Sequence, residues 1–413
     1  MTKRQEQAWD LIVVGGGAAG MMAAGTAARR GKSVLLIEKK KEPGRKIMIT
    51  GKGRCNLTNH CSAQQVLDHV VSNPRFLYSA LFAFSPQDTI SFFEELGVAL
   101  KTERGGRVFP ASDRSEDIVS ALRRFLQLTG VSLLHDTVAA VKQQENGFWV
   151  RTASGEGAAA RQVLIATGGL SYPRTGSTGD GYVFAKAFGH RIVPTRPALV
   201  GLCCTGDRHR RMQGLSLRNT GLQLLRKCDG KGLYRDQGEV LFTHFGLSGP
   251  TPLSASSYLT QRPQDFEIVL DLKPGLSHEM LSLRLERDFR ENLNRDFINS
   301  LGALLPRLMI PVIVEMSGIP PHKKVHQITR QERTELCSLL KAMPFSLCGT
   351  EPVERAIVTA GGVCVEEVDP KTMQSKLVKG VYFAGEVLDV DAVTGGYNLQ
   401  IAFSTGVAVG NHV

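Results

Sequence analysis

The sequence predicts an α/β protein in which a mostly parallel sheet is interrupted by an inserted domain of different texture. Residues 10–38 read as strand, glycine turn, helix, strand. After Pro352 the chain returns to glycine turns and a buried-strand pattern. Between them, from about 196 to 354, short strand-like runs and helical spacings replace that texture. A chain of 413 residues is long enough for two or three domains.

Composition narrows the class. With 42% hydrophobic and 22% charged residues the chain is an ordinary folded protein rather than a disordered or fibrous one. The cysteines at 55, 61, 203, 204, 228, 337, 348 and 364 are scattered and form no CxxC pairs. That spacing argues against a disulfide framework or a zinc site, and for reduced thiols in the cytoplasm with no metal. Leu11–Ala28 carries no charge and follows Lys3 and Arg4, superficially like a signal peptide. Five of its eighteen residues are glycine and Arg29-Arg30 follows at once, so strand-turn-helix is expected, with no targeting segment and no membrane span. A net charge of +11, not concentrated in a tail, permits a polyanionic partner without requiring one.

In chain order, Leu11–Val14 is a strand, an Ala/Met-rich helix runs to Arg30, and Ser33–Glu38 is the next strand. Residues 86–97 and 115–129 have helical apolar spacing, while Val138–Val150 and Val163–Ala166 read as strands. Residues 1–195 form the first part of the α/β domain. Within the insertion of 196–354, Leu222–Leu225 and Phe266–Leu272 are strand-like, and His278–Ile298 and Gln331–Lys341 helical. Residues 355–413 complete the first domain with a strand over Gly380–Gly385 and a helix from about Asn398.

Gly15-Gly-Gly17-Ala18-Ala19-Gly20 supplies a GxGxxG of the Rossmann type. Its first glycine allows the turn, Gly17 lets a pyrophosphate approach the backbone, and Gly20 allows close helix–strand contact. Glu38 ends the second strand where its carboxylate can accept hydrogen bonds from ribose hydroxyls. The alternative is a glycine-rich turn beside a surface glutamate. Two further segments, Leu164-Ile-Ala166-Thr167-Gly168-Gly169 and Val381-Tyr-Phe-Ala-Gly385-Glu386, resemble turns of two-dinucleotide-domain flavoproteins. That family usually has aspartate where this chain has Glu386. The pattern selects FAD as the held nucleotide. No second GxGxxG with a suitable acid exists, so NAD(P)H is expected only as a transient reductant.

Longer runs sharpen the resemblance. Gly44-Arg45-Lys46, Thr50–Asn59, Thr175–Gly181, Phe242–Pro250 and Gly385–Asp391 look like the BaiN/YhiN-type flavoproteins, and the resemblance covers nearly the whole chain. It implies a split FAD-binding domain with an inserted β-barrel-like and helical portion. It also implies reduction of carbon–carbon double bonds conjugated to a carbonyl, with steroid-type enones and uridine of ribosomal RNA as substrate classes. Such chemistry needs a hydride from flavin N5, an acid for the neighbouring carbon, and donors for the developing enolate.

Candidate residues follow from these needs. Lys39, Arg45, Lys46, Thr50, Gly51, Lys52, Gly53, Arg54 and Asn56 lie in or beside a glycine-punctuated basic loop suited to FAD phosphates or a substrate anion, or form a solvated basic surface. Cys55 in that loop is either a cofactor contact and proton donor or a small buried hydrophobe. His244 is a donor near the isoalloxazine or a structural histidine. Gly395 and Gly396 precede a helix whose N-terminus suits flavin N1 and O2. Tyr397 stacks on the flavin or fills the core, and Asn398 contacts it or caps the helix. Thr175–Gly181 is a cofactor loop or simply a flexible one.

Three functions compete: an RNA uridine reductase delivering hydride to C6 and a proton to C5, a small-molecule enone reductase, and a non-catalytic flavin redox sensor. Arg29-Arg30 with Lys32, Lys39–Lys41, Arg208 with Arg210-Arg211, and His322–Lys324 are the basic clusters that would grip RNA, though no aromatic-interleaved RNA motif accompanies them.

Overall fold

The computed structural model describes residues 8–413; residues 1–7, including Lys3 and Arg4, lie outside the described residues. The chain forms two compact units, one of the residues up to Ala198 with Val353–Val413, the other of Leu199–Pro352.

In the first unit β1 (Trp9–Val14) leads through a glycine turn into α1 (Ala18–Arg29) and back into β2 (Val34–Glu38). β1 is central in its sheet, so both faces are covered, and Leu11–Val14 read as an unbroken apolar run. β2 lies parallel on one side of β1 and β3 (Gly157–Ile165) on the other, placing Val13 between Leu36 and Leu164. Ser132–His135 extends the sheet beyond β2. Where the sequence suggests one strand over Val138–Val150, two strands occur, Val138–Gln144 and Gly147–Thr152, folded back at Glu145-Asn146 and paired onto β3. β4 (Ile192–Ala198) and β5 (Val358–Val363) form an antiparallel ribbon with a register shift between Val193 and Arg196. β6 (Val381–Phe383) adds parallel to β3, and α2 (Tyr397–His412) follows. α1 and α2 pack backbone to backbone: a Cβ on Gly406 would stand 2.4 Å from the Ala19 carbonyl oxygen.

The second unit is a closed six-stranded barrel with helices. In order around it run Leu202–Cys204, Gly246–Ser248, Gly232–Phe242, Ser216–Arg226, Phe266–Asp271 and Met343–Thr350, which returns to the first. The apolar residues of these strands, such as Leu222, Leu224, Ile268 and Phe345, share a core with helices His278–Arg290, Ile310–Ser317 and Arg330–Lys341. The helical spacing after His278 stops at Arg290 rather than Ile298. Asp296 is extended and bridges Lys324, and only a short turn, Phe297–Ser300, resumes. Among the described residues no helix is long and apolar enough to cross a membrane.

A buried polar group ties β4 to the later part of the first unit. His190, 3% exposed, places Nδ1 3.0 Å from Glu367 Oε2 and Nε2 2.7 Å from Ser375 Oγ. The arrangement resembles a hydrolytic triad, but Ser375 is buried and its Oγ already accepts from the Leu377 and Val378 N–H groups. It therefore holds the fold, with a neutral imidazole accepting from Ser375 and donating to Glu367. Burial lowers the His190 pKa from its ordinary value of 6.5, opposed by Glu367. With the folded pKa below the unfolded one, the associated stability is present above the unfolded value and lost as pH falls through it. Melting temperatures followed from about pH 7.5 down to about pH 5 should therefore fall more steeply in the natural protein than in His190→Gln.

Candidate functional site

The β1–α1 turn is shaped by contacts that only glycine permits. A Cβ on Gly20 would lie 1.9 Å from the Gly15 carbonyl oxygen. Gly17 differs: its backbone is extended (φ −81, ψ −170), open to any residue, and no protein atom lies within 4 Å of where its Cβ would be. Internal packing thus does not require glycine there. The space lies beside the N-terminus of a twelve-residue helix whose first turn carries no acid, an environment favourable to an anion. Ala18, Ala19 and Gly20 are buried behind it.

Glu38 lies at the edge of this turn, buried, with Oε2 accepting from the Gly16 N–H (2.7 Å) and Oε1 from the Lys40 N–H (2.8 Å). Lys39 turns to the Thr175–Gly181 loop, donating to Asp180 (2.6 Å) and Thr178 (2.5 Å). That loop packs against the turn after β3, since a Cβ on Gly181 would meet Thr167 Oγ1 at 2.2 Å. Ala166 is buried and Gly168 has a left-handed backbone. Two buried polar atoms among these residues have no hydrogen-bond partner among the described residues: Thr167 Oγ1 and Asn56 Oδ1.

The basic loop divides. Lys46 is half-buried and pairs with Glu386 Oε2 (2.5 Å) while donating to Ser171 Oγ (2.6 Å). Glu386 Oε1 accepts from Ser171 Oγ (2.8 Å) and the Thr359 N–H (3.0 Å). Arg54 instead pairs with Asp113 (2.7 Å) and Glu103 and lies 4.2 Å over the Phe109 ring. Its charge is met within its own surroundings. Arg45 and Lys52 are exposed. Gly51, Lys52, Gly53 and Cys55 all have left-handed backbone, and Thr50 Oγ1 donates to the Ile47 carbonyl. Cys55 is fully buried, and burial pushes its thiol up to about 12, opposed by Thr50.

At the start of α2, a Cβ on Gly396 would meet the Thr58 carbonyl oxygen at 2.4 Å, and Asn59 Nδ2 donates to the Gly395 carbonyl (3.1 Å). The Gly395-Gly396 turn is thereby held against the basic loop's continuation. Gly385 is close to α1, its Cβ position 2.9 Å from Ala19 Cβ. Tyr397 is buried and stacks on His69 with centroids 4.4 Å apart. Asn398 closes a loop rather than capping α2: it accepts from the Ala392 N–H (3.0 Å) and donates to the Ala392 carbonyl (2.7 Å). His244 belongs to the other unit, where it is exposed, stands edge-on to Phe245, and offers its carbonyl to Arg210 Nε (3.0 Å).

Sequence reasoning missed Ser171 and Thr359, whose short side chains come from distant segments and carry no motif. It also assigned no role to a polar cleft of about 290 Å³ in the first unit, lined by Ser72, Asn73, Val193, Pro194, Arg196, Gly361 and Asp389.

Residues 9–412 match the model of the HI0933-like protein Rossmann domain family. The chain is 33% identical over 369 residues to the ribosomal RNA dihydrouridine synthase of Escherichia coli (strain K12), covering 89% of this chain and 88% of that protein. It is 31% identical over 379 residues to the 3-dehydro-bile acid delta(4,6)-reductase of Clostridium scindens, covering 90% of each. Among solved structures, the 3-ketosteroid delta1-dehydrogenase of Sterolibacterium denitrificans resembles it with a TM-score of 0.52 at 15% identity, over 98% of this chain and 99% of that one, a likeness of fold.

The Lys46–Glu386 pair is partly buried, so removing one partner leaves a charge short of its match. In flavin-free protein, Lys46→Met and Glu386→Leu should each cost about 1–3 kcal/mol by urea denaturation. The double variant should cost clearly less than the two together, and strict additivity would show that the pair is uncoupled.

Proposed function

The chain belongs to the HI0933-like family, and from that premise we propose that it is an FAD-dependent oxidoreductase reducing a carbon–carbon double bond conjugated to a carbonyl, with uridine of ribosomal RNA as substrate. The observation that carries the cofactor is the open space at Gly17. It would admit a pyrophosphate at the N-terminus of α1, with Glu38 exchanging backbone N–H groups for ribose hydroxyls. The residues fit FAD, which when bound supplies hydride from its reduced N5, recharged by NAD(P)H binding transiently.

The remaining work belongs to the chain. Lys46 is anchored by Glu386 and Ser171, so its ammonium is fixed in place and its charge is met within the chain. The N-terminus of α2, held by the Gly396–Thr58 approach and the Asn59–Gly395 hydrogen bond, would offer backbone N–H groups and a partial positive charge to the flavin pyrimidine edge. Arg54 stabilises the loop by its own ion pairs, and Arg45, Lys52, Thr50, Gly51, Gly53 and the Thr175–Gly181 loop shape its surroundings. A thiol pushed up to about 12 is a poorly matched general acid, so Cys55 would fill space rather than deliver the proton.

RNA is favoured by the Escherichia coli relative's named activity and by the charge of +11. On this reading the chain works in the cytoplasm. A small-molecule enone is the second reading, suggested by the Clostridium scindens relative's name and by one observation. Much of the basic surface is internally matched: Lys323 pairs with Glu332 (2.6 Å), Lys324 with Asp296 (2.8 Å), Arg211 with Glu315, and Arg30 caps the end of α2 at the Gly410 carbonyl (2.9 Å).

Nucleoside mass spectrometry of ribosomal and transfer RNA from cells with and without the gene separates the readings. Loss of dihydrouridine from ribosomal RNA, restored by the wild-type gene, is expected. RNA binding should also weaken steeply with salt through counterion release. Unchanged RNA together with salt-insensitive turnover of a free enone would transfer the assignment to the small molecule.

A further inference from the structure

The seam that closes the barrel of the second unit carries two free cysteines on adjacent strands. Leu202–Cys204 and Met343–Thr350 pair antiparallel there, with Leu202 opposite Thr350, Cys203 opposite Gly349 and Cys204 opposite Leu347. Cys348 is therefore one residue too many, and it joins Gly349 in facing Cys203 as a β-bulge. Main-chain hydrogen bonds fix the seam on both sides of the bulge, from the Thr205 N–H to the Ser346 carbonyl (2.9 Å) and from the Glu351 N–H to the Gly201 carbonyl (3.0 Å). The Cys348 carbonyl itself accepts from Gln264 Nε2 (2.9 Å).

Alternation along the two strands sends both thiols to the outer face. Leu202, Cys204 and Leu347 are buried in the barrel core, whereas Cys203 is half-buried and Cys348 exposed. Cys203 has a glycine opposite it in each neighbouring strand, Gly246 on one side and Gly349 on the other, so neither direct cross-strand neighbour covers its sulfur with a side chain. A Cβ on Gly349 would stand 3.9 Å from Cys203 Cβ, within the span of about 3.5–4.5 Å that a disulfide bridges. The outward direction of the bulge is thus within bonding range of Cys203, and Cys348 is the bulge residue that carries a thiol. Burial, followed by the neighbouring Cys348 and Glu351, raises the Cys203 thiol above its ordinary 9.0. Cys204, turned to the core, is pushed up to about 12 by burial, which leaves it a poor competitor for exchange.

We propose that Cys203 and Cys348 are a reversible redox modification site, a dithiol that a low-molecular-weight disulfide such as oxidised glutathione converts to a cross-strand disulfide on the outside of the barrel. The inference is independent of the proposed reduction and involves no flavin. The exposed Cys348 thiol loses its proton, and its sulfur attacks one sulfur of the oxidant, releasing one small thiolate and leaving a mixed disulfide. The Cys203 thiolate then attacks the Cys348 sulfur, forming the Cys203–Cys348 bond and releasing the second small thiolate. Two protein thiols are oxidised, one small disulfide is reduced to two thiols, and the two protons lost by the cysteines end on them. The chain enters the second unit at Leu199 and leaves it at Pro352, so the bond ties the incoming strand to the outgoing one and encloses nearly the whole unit in one covalent loop.

The test equilibrates the full chain, as purified, with oxidised glutathione at about pH 8, where thiol exchange is practical. Remaining thiols are then alkylated, and the protein is digested without reduction and read by mass spectrometry. The expected result is the loss of two of the eight thiols and a cross-linked peptide pair whose fragment ions place the bond between Cys203 and Cys348. Excess reduced glutathione should restore both thiols, and the oxidised chain should run as a monomer on a non-reducing gel. Two variants check the order of attack. Cys203→Ser, which lacks the second thiol, should stop at a glutathione mixed disulfide on Cys348, and Cys348→Ser should leave Cys203 a free thiol. Glutathione adducts on the wild type without the cross-link, a bond from Cys348 to Cys204, or a Cys348–Cys348 bond between two chains would each overturn the proposal.

Discussion

The first turn of α1 is confined on three sides by glycines, and the architecture of the first unit depends on that confinement. Gly20 lets it close onto Gly15, and Gly385 and Gly406 let the β6 turn and α2 approach Ala19. Each is a close approach that a side chain would block. The fourth side, at Gly17, is open. Close packing therefore aims a helix N-terminus at one vacant direction, and the helix dipole and unpaired N–H groups give that direction a preference for negative charge.

Around that opening, loops from distant parts of the chain are fixed by polar cross-links rather than apolar packing. Lys46, Ser171, Thr359 and Glu386 come from four segments and satisfy one another. Asn59 joins the basic loop's continuation to the start of α2, and Asn398 closes the loop that carries Asp391. Such networks specify position because a half-satisfied member is costly. Asp391, Arg196, Asn56 and Thr167, by contrast, leave buried polar atoms unmatched among the described residues.

The fold class was legible in the sequence because its signals are local. A β-branched apolar run, a glycine turn and an alanine-rich helix name a βαβ unit before any tertiary contact is known, and the strand-and-helix texture of the insertion was visible as a change of period, its barrel form being implied only by the family resemblance. Misreadings arose where tertiary pairing overrode local pattern: the hairpin that splits residues 138–150, and the bridge from Asp296 to Lys324 that ends a helical run early. The candidate site was legible only in part. Glycine motifs announce themselves by spacing, whereas Arg54, read as suited to FAD phosphates or a substrate anion or as part of a solvated basic surface, meets Asp113 and Glu103 from elsewhere in the chain, partners that spacing does not reveal. Asp389 and Asp391 lay within a recognisable run, but the burial that raises their pKa values is a property of the fold that no spacing reveals.

The central claim, that the open side of the α1 turn is kept for a dinucleotide, is tested most directly by Gly17→Val. The backbone there is extended and an added Cβ meets nothing within 4 Å beyond its chain neighbours, so the variant is expected to fold. Purified variant and wild type would be compared for bound flavin by absorption spectrum and for folding by circular dichroism. The account predicts a folded variant that has lost its FAD; a folded variant retaining FAD at wild-type stoichiometry would contradict it.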